Sequence, residues 1–481
     1  MKKYIIAIDQ STSADKVFLL DNNLNILKRF SKAHRQYYPG VGGAEHDADE
    51  IWQNVKEGII EVARGTDKSE IAALSLCNQR ETTVFWDKSG KALRRAIVWQ
   101  DVRAGGICAG LSDKADSVKA LSGLDLSPYY PAAKAAMALR EDGELYKKAQ
   151  NGEAFIGTVD SFLIYRLTGG KSFKQDVSNA ARTELFDIRA LKYSPELCGI
   201  FDIPPCALPE VLPSDSLFGE ISEAGLPQGV PIIGVMGDSH ASLFAQGCVK
   251  EGMIKTSYGT GSSVMMNTGK TAKVSKGLST SVAYGRRGET DYVLEGNITH
   301  SGDTLRWLCD EAEMVSSPSK VEEVALTVPS TDGVYLVPAF SGLGAPYFDS
   351  NARAAFIGIN RATTRAHMVR AALESMAYQN ADVIDTMQRD AGVPVRLLHA
   401  DGGGCKNKTL MQLQADLLGC PVEASDETEL SALGSAKMAA ETLGISDKPL
   451  ESGTKRYEPK ISASERERLM DMWHGAVNRV R

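Results

Sequence analysis

At 481 residues, with 43% apolar and 24% charged side chains, the chain is too long for one ordinary core and has the composition of a soluble protein of two or three units. No apolar run approaches the ~20 residues that cross a bilayer, and the opening MKKYIIAIDQ meets Asp9 too soon for a secretory leader, so neither membrane insertion nor export is expected. A net charge of -7 argues against broad nucleic-acid binding, and eight scattered cysteines without CxxC or zinc spacing predict free thiols in a reducing compartment, the cytoplasm.

Three strands precede any helix: 4–10, 16–21 and 24–30, with Asp21-Asn22-Asn23 turning the last pair. Ile51, Val55, Ile59, Ile60 and Ala63 recur at helical spacing and predict a helix over 50–64, with a buried strand over 71–79 behind it. PIIGVMG (231–237) is a further buried strand. A similar opening recurs at 252–269, a hairpin folded around Gly-Thr-Gly, which predicts a second domain built like the first. Next come a strand over 333–340 and a helix over 368–390, with Val369, Leu373, Met376, Ile384 and Met387 on its apolar stripe and Gly392 at its end. A strand over 395–400 runs straight into Asp401-Gly402-Gly403-Gly404, and the helix over 407–418 stops at Gly419. The charged tail after about Lys448 predicts a capping helix plus loops. Two units are expected, 1–247 and 248–481, with a cleft between them and no low-complexity linker.

Several segments offer chemistry. Asp9-Gln10-Ser11-Thr12-Ser13 turns between two apolar strands, where N–H groups and hydroxyls can face phosphate oxygens and Asp9 can hold Mg²⁺; a plain polar hairpin turn is the alternative. Tyr258-Gly259-Thr260-Gly261-Ser262 is a second such tip. Asp401 to Gly404 lies between strand and helix, the setting for close approach to a nucleotide or for an ordinary turn. Their order, an Asp turn, a Thr-Gly turn and a late glycine loop, describes two lobes closing on a nucleotide. Asp238 ends a buried strand, where a carboxylate costs free energy unless it has a partner or a chemical role. It is a general base, or it caps the following helix. His240, with no ligand-spaced partner, has a structural or surface role rather than a catalytic one. Asn78 to Thr83 concentrates polar groups at a strand end, and Arg80 with Glu81 either binds vicinal hydroxyls or forms a loop salt bridge. Trp99 and Tyr129 supply apolar walls for a carbon chain, or simple packing.

The chain resembles the FGGY carbohydrate kinases from end to end, and the glycerol kinases among them: EHD at 45–47, NQRETT at 78–83, AIVWQD at 96–101, YGTG at 258–261, MNTG at 266–269, VPAFSGLGAPY at 337–347 and DGGG at 401–404 stand in the same order. Residues 354–374 resemble the C-terminal family signature throughout, whereas YYPAAKAAMAL carries Met137 where the N-terminal signature usually has tryptophan. The resemblance implies an α/β fold of two ribonuclease-H-like lobes, as in actin and hexokinase, with the active site in the interlobe cleft. It implies ATP and Mg²⁺ as cofactors, a small polyol or sugar as substrate, and a homo-oligomer, dimer or tetramer. Position by position it makes Asp238 the catalytic base, Arg80, Glu81, Trp99 and Tyr129 polyol contacts, and Thr12, Ser13, Thr260, Gly261, Gly302, Arg306, Gly403 and Asn407 nucleotide contacts. Asp9 becomes the magnesium-associated carboxylate, with Asp238 beside it.

The departures lie at the site. Ser11 stands where glycine is usual, and Lys16 where arginine is usual, so a bidentate fork becomes a point charge on the phosphates. Ser239 replaces a glutamine beside the base, Ser263 replaces a phenylalanine that faces Trp99 across the substrate, and Arg306 replaces a glutamine near the nucleotide. A wider, more polar pocket follows. SEAGLPQGVPIIG (222–234) lacks the glycine-arginine loop and the histidine through which some relatives are controlled, so neither control is expected. The expected reaction is ATP-dependent phosphorylation of a terminal hydroxyl of glycerol, giving glycerol 3-phosphate and ADP. Its rivals are a kinase for a tetritol, pentitol or pentulose, and an actin-like nucleotide sensor without turnover.

Overall fold

Ile5, Ile6, Ala7 and Ile8 are all inaccessible to solvent, as a strand covered on both faces requires, and in the computed structural model, which describes residues 2–450 and 453–481, they lie inside the first sheet. Strand β1 (Tyr4–Gln10) pairs antiparallel with β2 (Ala14–Asp21), and β2 with the edge strand β3 (Ile26–Ala33). Helix α1 (Ala48–Ala63), whose first turn is capped by the Asp47 carboxylate, then carries the chain to β4 (Ile71–Asn78), parallel to β1. An inserted layer follows, whose core gathers Phe85, Ile97 and Val118 with the alanine-rich helix α2 (Pro131–Glu141). Strands β5 (Leu217–Glu220) and β6 (Pro231–Gly237) complete the sheet, β6 parallel to β4, and helix α3 (Asp238–Ala245) leaves from the end of β6.

The second sheet repeats the plan. Strand β7 (Ile254–Tyr258) pairs antiparallel with β8 (Ser262–Gly269), which continues through β10 (Glu289–Ile298) to β9 (Ser279–Arg286) at the edge. After helices α4 (Gly302–Asp310) and α5 (Arg365–Ala391), strand β11 (Leu398–Asp401) lies parallel to β7 on its other side. Helix α6 (Lys408–Leu418) leads to β12 (Val422–Ser425), parallel to β11. Both sheets are thus an antiparallel meander on one side of a first strand and, on the other, two parallel strands closed by an antiparallel edge strand.

The expected helix over 368–390 begins earlier, at Arg365, because Thr364 and His367 close a capping box; Gly392 ends it in the left-handed conformation, φ 73°. The expected strand over 333–340 is confined to Tyr335–Val337, and that over 395–400 is displaced to Leu398–Asp401. The tail holds more than a helix and loops. Before helix α8 (Ala463–Val477), Thr454–Tyr457 form β13, which pairs antiparallel with β12 as the last strand of the sheet. Three of its four residues are exposed, so an edge strand of this length has no apolar alternation to announce it.

One helix crosses between the halves of the chain. Helix α7 (Leu430–Thr442) packs Ala432, Leu433, Ala436 and Ala440 against Ile5, Ala7 and Phe18 of the first sheet. Contact with α3 is so close that a Cβ on Gly434 would stand 1.9 Å from the Ala241 carbonyl oxygen. The base of the cleft is therefore tied together by main-chain packing.

Candidate active site

The Asp9 turn is shaped locally. Ser11 N–H donates to the Ala14 carbonyl at 2.9 Å, and the Ser11 hydroxyl bonds the same carbonyl at 2.8 Å. Below it, the fully buried Asp15 carboxylate accepts from Gln10 and Asn54 and contacts His34. The Thr12 carbonyl accepts from Gln36 Nε2 at 2.6 Å, and the Thr12 hydroxyl accepts from Trp99 Nε1 at 3.0 Å, so a residue assigned to the nucleotide and one assigned to the polyol wall touch. Ser13 is exposed. Asp9 and Lys16 are directly opposed in the β1–β2 ladder, yet Lys16 Nζ is closer to Glu429, at 2.8 Å, than to Asp9, at 3.6 Å. Burial pushes the Asp9 carboxyl up to about 6, with Lys16 opposing and Asp238 and Glu429 reinforcing the shift.

Arg80 and Glu81, the expected polyol contacts, are not paired with one another. Arg80 forms a two-pronged bond to Glu295 of β10, Nη1 at 2.9 Å and Nη2 at 2.7 Å, while its Nε lies 3.3 Å from Asp238 Oδ1. Glu81, at a left-handed φ of 62°, accepts from Arg182 Nε at 2.6 Å, and Arg182 Nη1 approaches Glu295 at 2.9 Å. Burial would raise the Glu295 carboxyl, but the Arg182 and Arg80 guanidinium groups outweigh it and hold it well below the usual carboxylate range. Asp238 is the exposed member, its side chain 34% accessible against 6% or less for the other four. It is the first residue of α3 rather than its cap: Gly237 occupies that position, and Asp238 Oδ1 accepts the adjacent Ser239 N–H in the first turn of the helix. Trp99 and Tyr129 meet edge to face with ring centres 5.8 Å apart, beside this network. His240 is fully buried, and burial with the nearby Arg80 drives it well below its ordinary 6.5, so it is a neutral core residue.

Around the expected nucleotide contacts the glycines allow main-chain segments to converge on one turn. A Cβ at Gly261 would stand 2.4 Å from the Ile298 carbonyl oxygen, at Gly302 2.5 Å from that of Gly259, and at Gly402, where φ is 88°, 2.5 Å from that of Tyr258. Thr260 and Gly403 are left exposed at the surface of this assembly, with nothing near a Cβ at Gly403. A cavity of about 670 Å³ opens there, lined from one side by Asp238, Ser239 and Ser242 and from the other by Ser257, Asp401, Gly402 and Gly403. Asp401 is committed to α3, accepting from Ser242 Oγ at 2.9 Å and Gln246 Nε2 at 2.6 Å. Of the expected site residues, Asp238, Ser239 and Gly403 line this cavity; Asp9, Thr12, Ser13, Lys16, Arg80, Glu81, Trp99, Tyr129, Thr260, Gly261, Gly302, Arg306 on α4, and Asn407, whose side chain caps α6 at Leu410 N–H, do not.

Sequence reasoning passed over Glu295, Arg182 and Glu429. Glu295 had a signal, a carboxylate inside the apolar run YVLEGNI, which requires a partner; Arg182 and Glu429 had none. No group of three His, Cys, Asp or Glu at metal-binding spacing occurs among the described residues. Asp9 and Glu429 flank the Lys16 ammonium, Glu429 also pairs with Arg29, and Asp238 pairs with Arg80. Asp9 and Asp238 are near enough for the charge of the second to raise the first, and two neighbouring carboxylates fit Mg²⁺, which takes one or two and completes its shell with phosphate oxygens and water.

Residues 4–245 match the N-terminal domain, and residues 254–443 the C-terminal domain, of the FGGY family of carbohydrate kinases. The chain is 41% identical to a glycerol kinase of Bacillus licheniformis over 100% of this chain and 99% of that one. It is 42% identical to glycerol kinase 2 of Thermotoga maritima over 99% and 98%. Among solved structures, Plasmodium falciparum glycerol kinase with ADP superposes with a TM-score of 0.94 at 33% identity, covering 99% of this chain and 98% of that one. A ligand-bound xylulose kinase of Lactobacillus acidophilus, 24% identical over 99% and 98%, shares the fold with a TM-score of 0.90. With both halves of the chain matched in order, this protein belongs to the FGGY family of carbohydrate kinases.

Proposed function

We propose that the chain transfers the γ-phosphoryl group of ATP to a terminal hydroxyl of glycerol, giving glycerol 3-phosphate and ADP. The position of Asp238 carries this assignment: it faces the large cavity, and its Oδ1 lies 3.3 Å from Arg80 of the polyol wall. Kinship with glycerol kinases over the whole chain supports it.

Phosphoryl transfer asks the protein mainly for positioning and charge neutralisation. Arg80 and Glu81, held by Glu295 and Arg182, orient the substrate hydroxyls, and Trp99 and Tyr129 cover its carbon chain. Asp238 accepts the proton of the terminal hydroxyl as that oxygen bonds to the γ-phosphorus and the bond to the bridging oxygen of ADP breaks. Thr12, Ser13, Thr260, Gly261, Gly302 and Gly403 offer hydroxyl and N–H groups to the phosphates. Arg306 and Asn407 stand further along the nucleotide side, and Lys16, fixed by Glu429, adds positive charge behind Asp9. Asp9 and Asp238 would hold Mg²⁺, which would supply positive charge against the phosphates.

A longer polyol or ketose is the second reading. It is favoured by Ser263, whose hydroxyl lies 3.4 Å from Glu295 Oε1 and adds a polar surface to the ion network. ATP consumption coupled to product detection, with glycerol set against dihydroxyacetone, erythritol, xylitol and pentuloses, decides between them by kcat/KM. In the Asp238→Asn protein kcat falls by about 10²–10⁴ with little change in glycerol KM; unchanged turnover overturns the assignment of the base. A cytoplasmic location is in keeping with eight free thiols, and a homo-oligomer with the exposed Phe348 and Ile359; no helix among the described residues is long and apolar enough to cross a membrane. Sedimentation of the purified protein tests the assembly.

A further inference from the structure

The segment Tyr129–Leu139 contains a charge that phosphoryl transfer does not use. Lys134, on α2, is fully inaccessible to solvent, a rare state for lysine. Its Nζ makes one hydrogen bond among the described residues, to the carbonyl oxygen of Tyr129, and stands 5.8 Å from the centre of the Tyr129 ring. Side chains on a helix lean toward its N-terminus, so an amine five positions after Tyr129 folds back over the loop that carries it. Burial pulls the amine down to about 7, while Glu81, Asp101, Glu184 and Cys108 pull it up.

A second buried charge holds the same loop. Glu184, also fully inaccessible and at a left-handed φ of 60°, accepts the Ser127 N–H at 3.0 Å. Between the two, Tyr130 lies under the Arg182 guanidinium at 5.1 Å, and its hydroxyl bonds Ser279 Oγ of β9 at 2.9 Å. Methionine or leucine would fill the Lys134 site without the cost of burying an amine. The use of the amine is therefore in what it bonds, the main chain at Tyr129.

We infer that Lys134 is a positioning residue for substrate, pinning the 127–130 loop, with Glu184 as the second anchor, so that Tyr129 stands as a wall of the polyol pocket. This rests on the assignment of Tyr129 to that pocket.

Steady-state kinetics of the full chain with glycerol and ATP test it, using Lys134→Met, Lys134→Gln, Tyr129→Ala and the doubles. Lys134→Met is expected to raise glycerol KM about tenfold, with kcat and ATP KM within about threefold of the parent. Lys134→Gln keeps a donor for the Tyr129 carbonyl and is expected to recover most of that loss. Added to Tyr129→Ala, Lys134→Met should cost nothing further, because residues acting through one contact are not additive. Should Lys134→Met fail to fold, Lys134→Leu, which also lacks a donor, carries the same comparison alone and with Tyr129→Ala. The inference is overturned if glycerol KM is unmoved while Tyr129→Ala raises it, or if the two effects add. If Tyr129→Ala itself leaves glycerol KM unchanged, the pocket assignment falls and the inference with it.

Discussion

On the wall proposed for the polyol, Arg80, Glu81, Arg182 and Glu295 are locked in ion pairs almost out of reach of solvent, and only Asp238 is open. On the wall proposed for the nucleotide, Gly261, Gly302 and Gly402 draw main-chain segments together around the Tyr258–Thr260 turn, and Thr260 and Gly403, which face outward, make no comparable side-chain bonds. The contrast suits the ligands proposed for the two walls. A three-carbon polyol has few atoms with which to order a site, so its contacts must be fixed beforehand. A polyphosphate brings its own charge and is met by N–H groups that have no rotamer freedom to lose.

Breaking the first wall should have the largest effect. Glu295→Gln removes the carboxylate that Arg80 and Arg182 share and leaves two buried guanidinium groups with one partner each, Asp238 and Glu81, so stability is expected to fall by about 3–5 kcal/mol, read from the urea midpoint, with glycerol KM raised and ATP KM little changed. An unchanged midpoint would mean that the ion network does not preorganise the wall. The complementary lesion is Gly402→Ala, which combines a φ of 88° with a Cβ 2.5 Å from the Tyr258 carbonyl oxygen. Backbone strain of about 1–3 kcal/mol is expected there, with ATP KM raised and glycerol KM spared; the reverse pattern would show that the two walls are not separate. Ser263→Phe sharpens the comparison least: it should shift the kcat/KM ratio toward glycerol over xylitol by about tenfold, measured by competition in one assay.

Much of the fold was legible. The strand over 4–10, the helix near 50–64 and both hairpins were readable because apolar periodicity and turn residues are local signals. The tips of those hairpins, at Asp9 and at Thr260, were readable for the same reason. Lys16 was legible as a cation near the phosphate turn but not as the partner of Glu429, 413 residues away. Arg80 and Glu81 read as neighbours that could pair, whereas their partners are Glu295 and Arg182, respectively 215 and 101 residues distant. The exposed strand β13 escaped because an edge in water needs no apolar face.

By itself, then, the sequence determined most of the central strands and helices, where the hairpin tips at Asp9 and Thr260 fall, and, through the spacing of its motifs, the kinase family. Only the tertiary structure decided which buried charges neutralise one another, that Lys134 holds the main chain at Tyr129, and that α7 returns to close the first sheet. The physical reason is that hydrogen bonding and apolar alternation act over a few residues, whereas a buried ion is satisfied by whatever the folded chain brings within about 3 Å, at any separation in sequence.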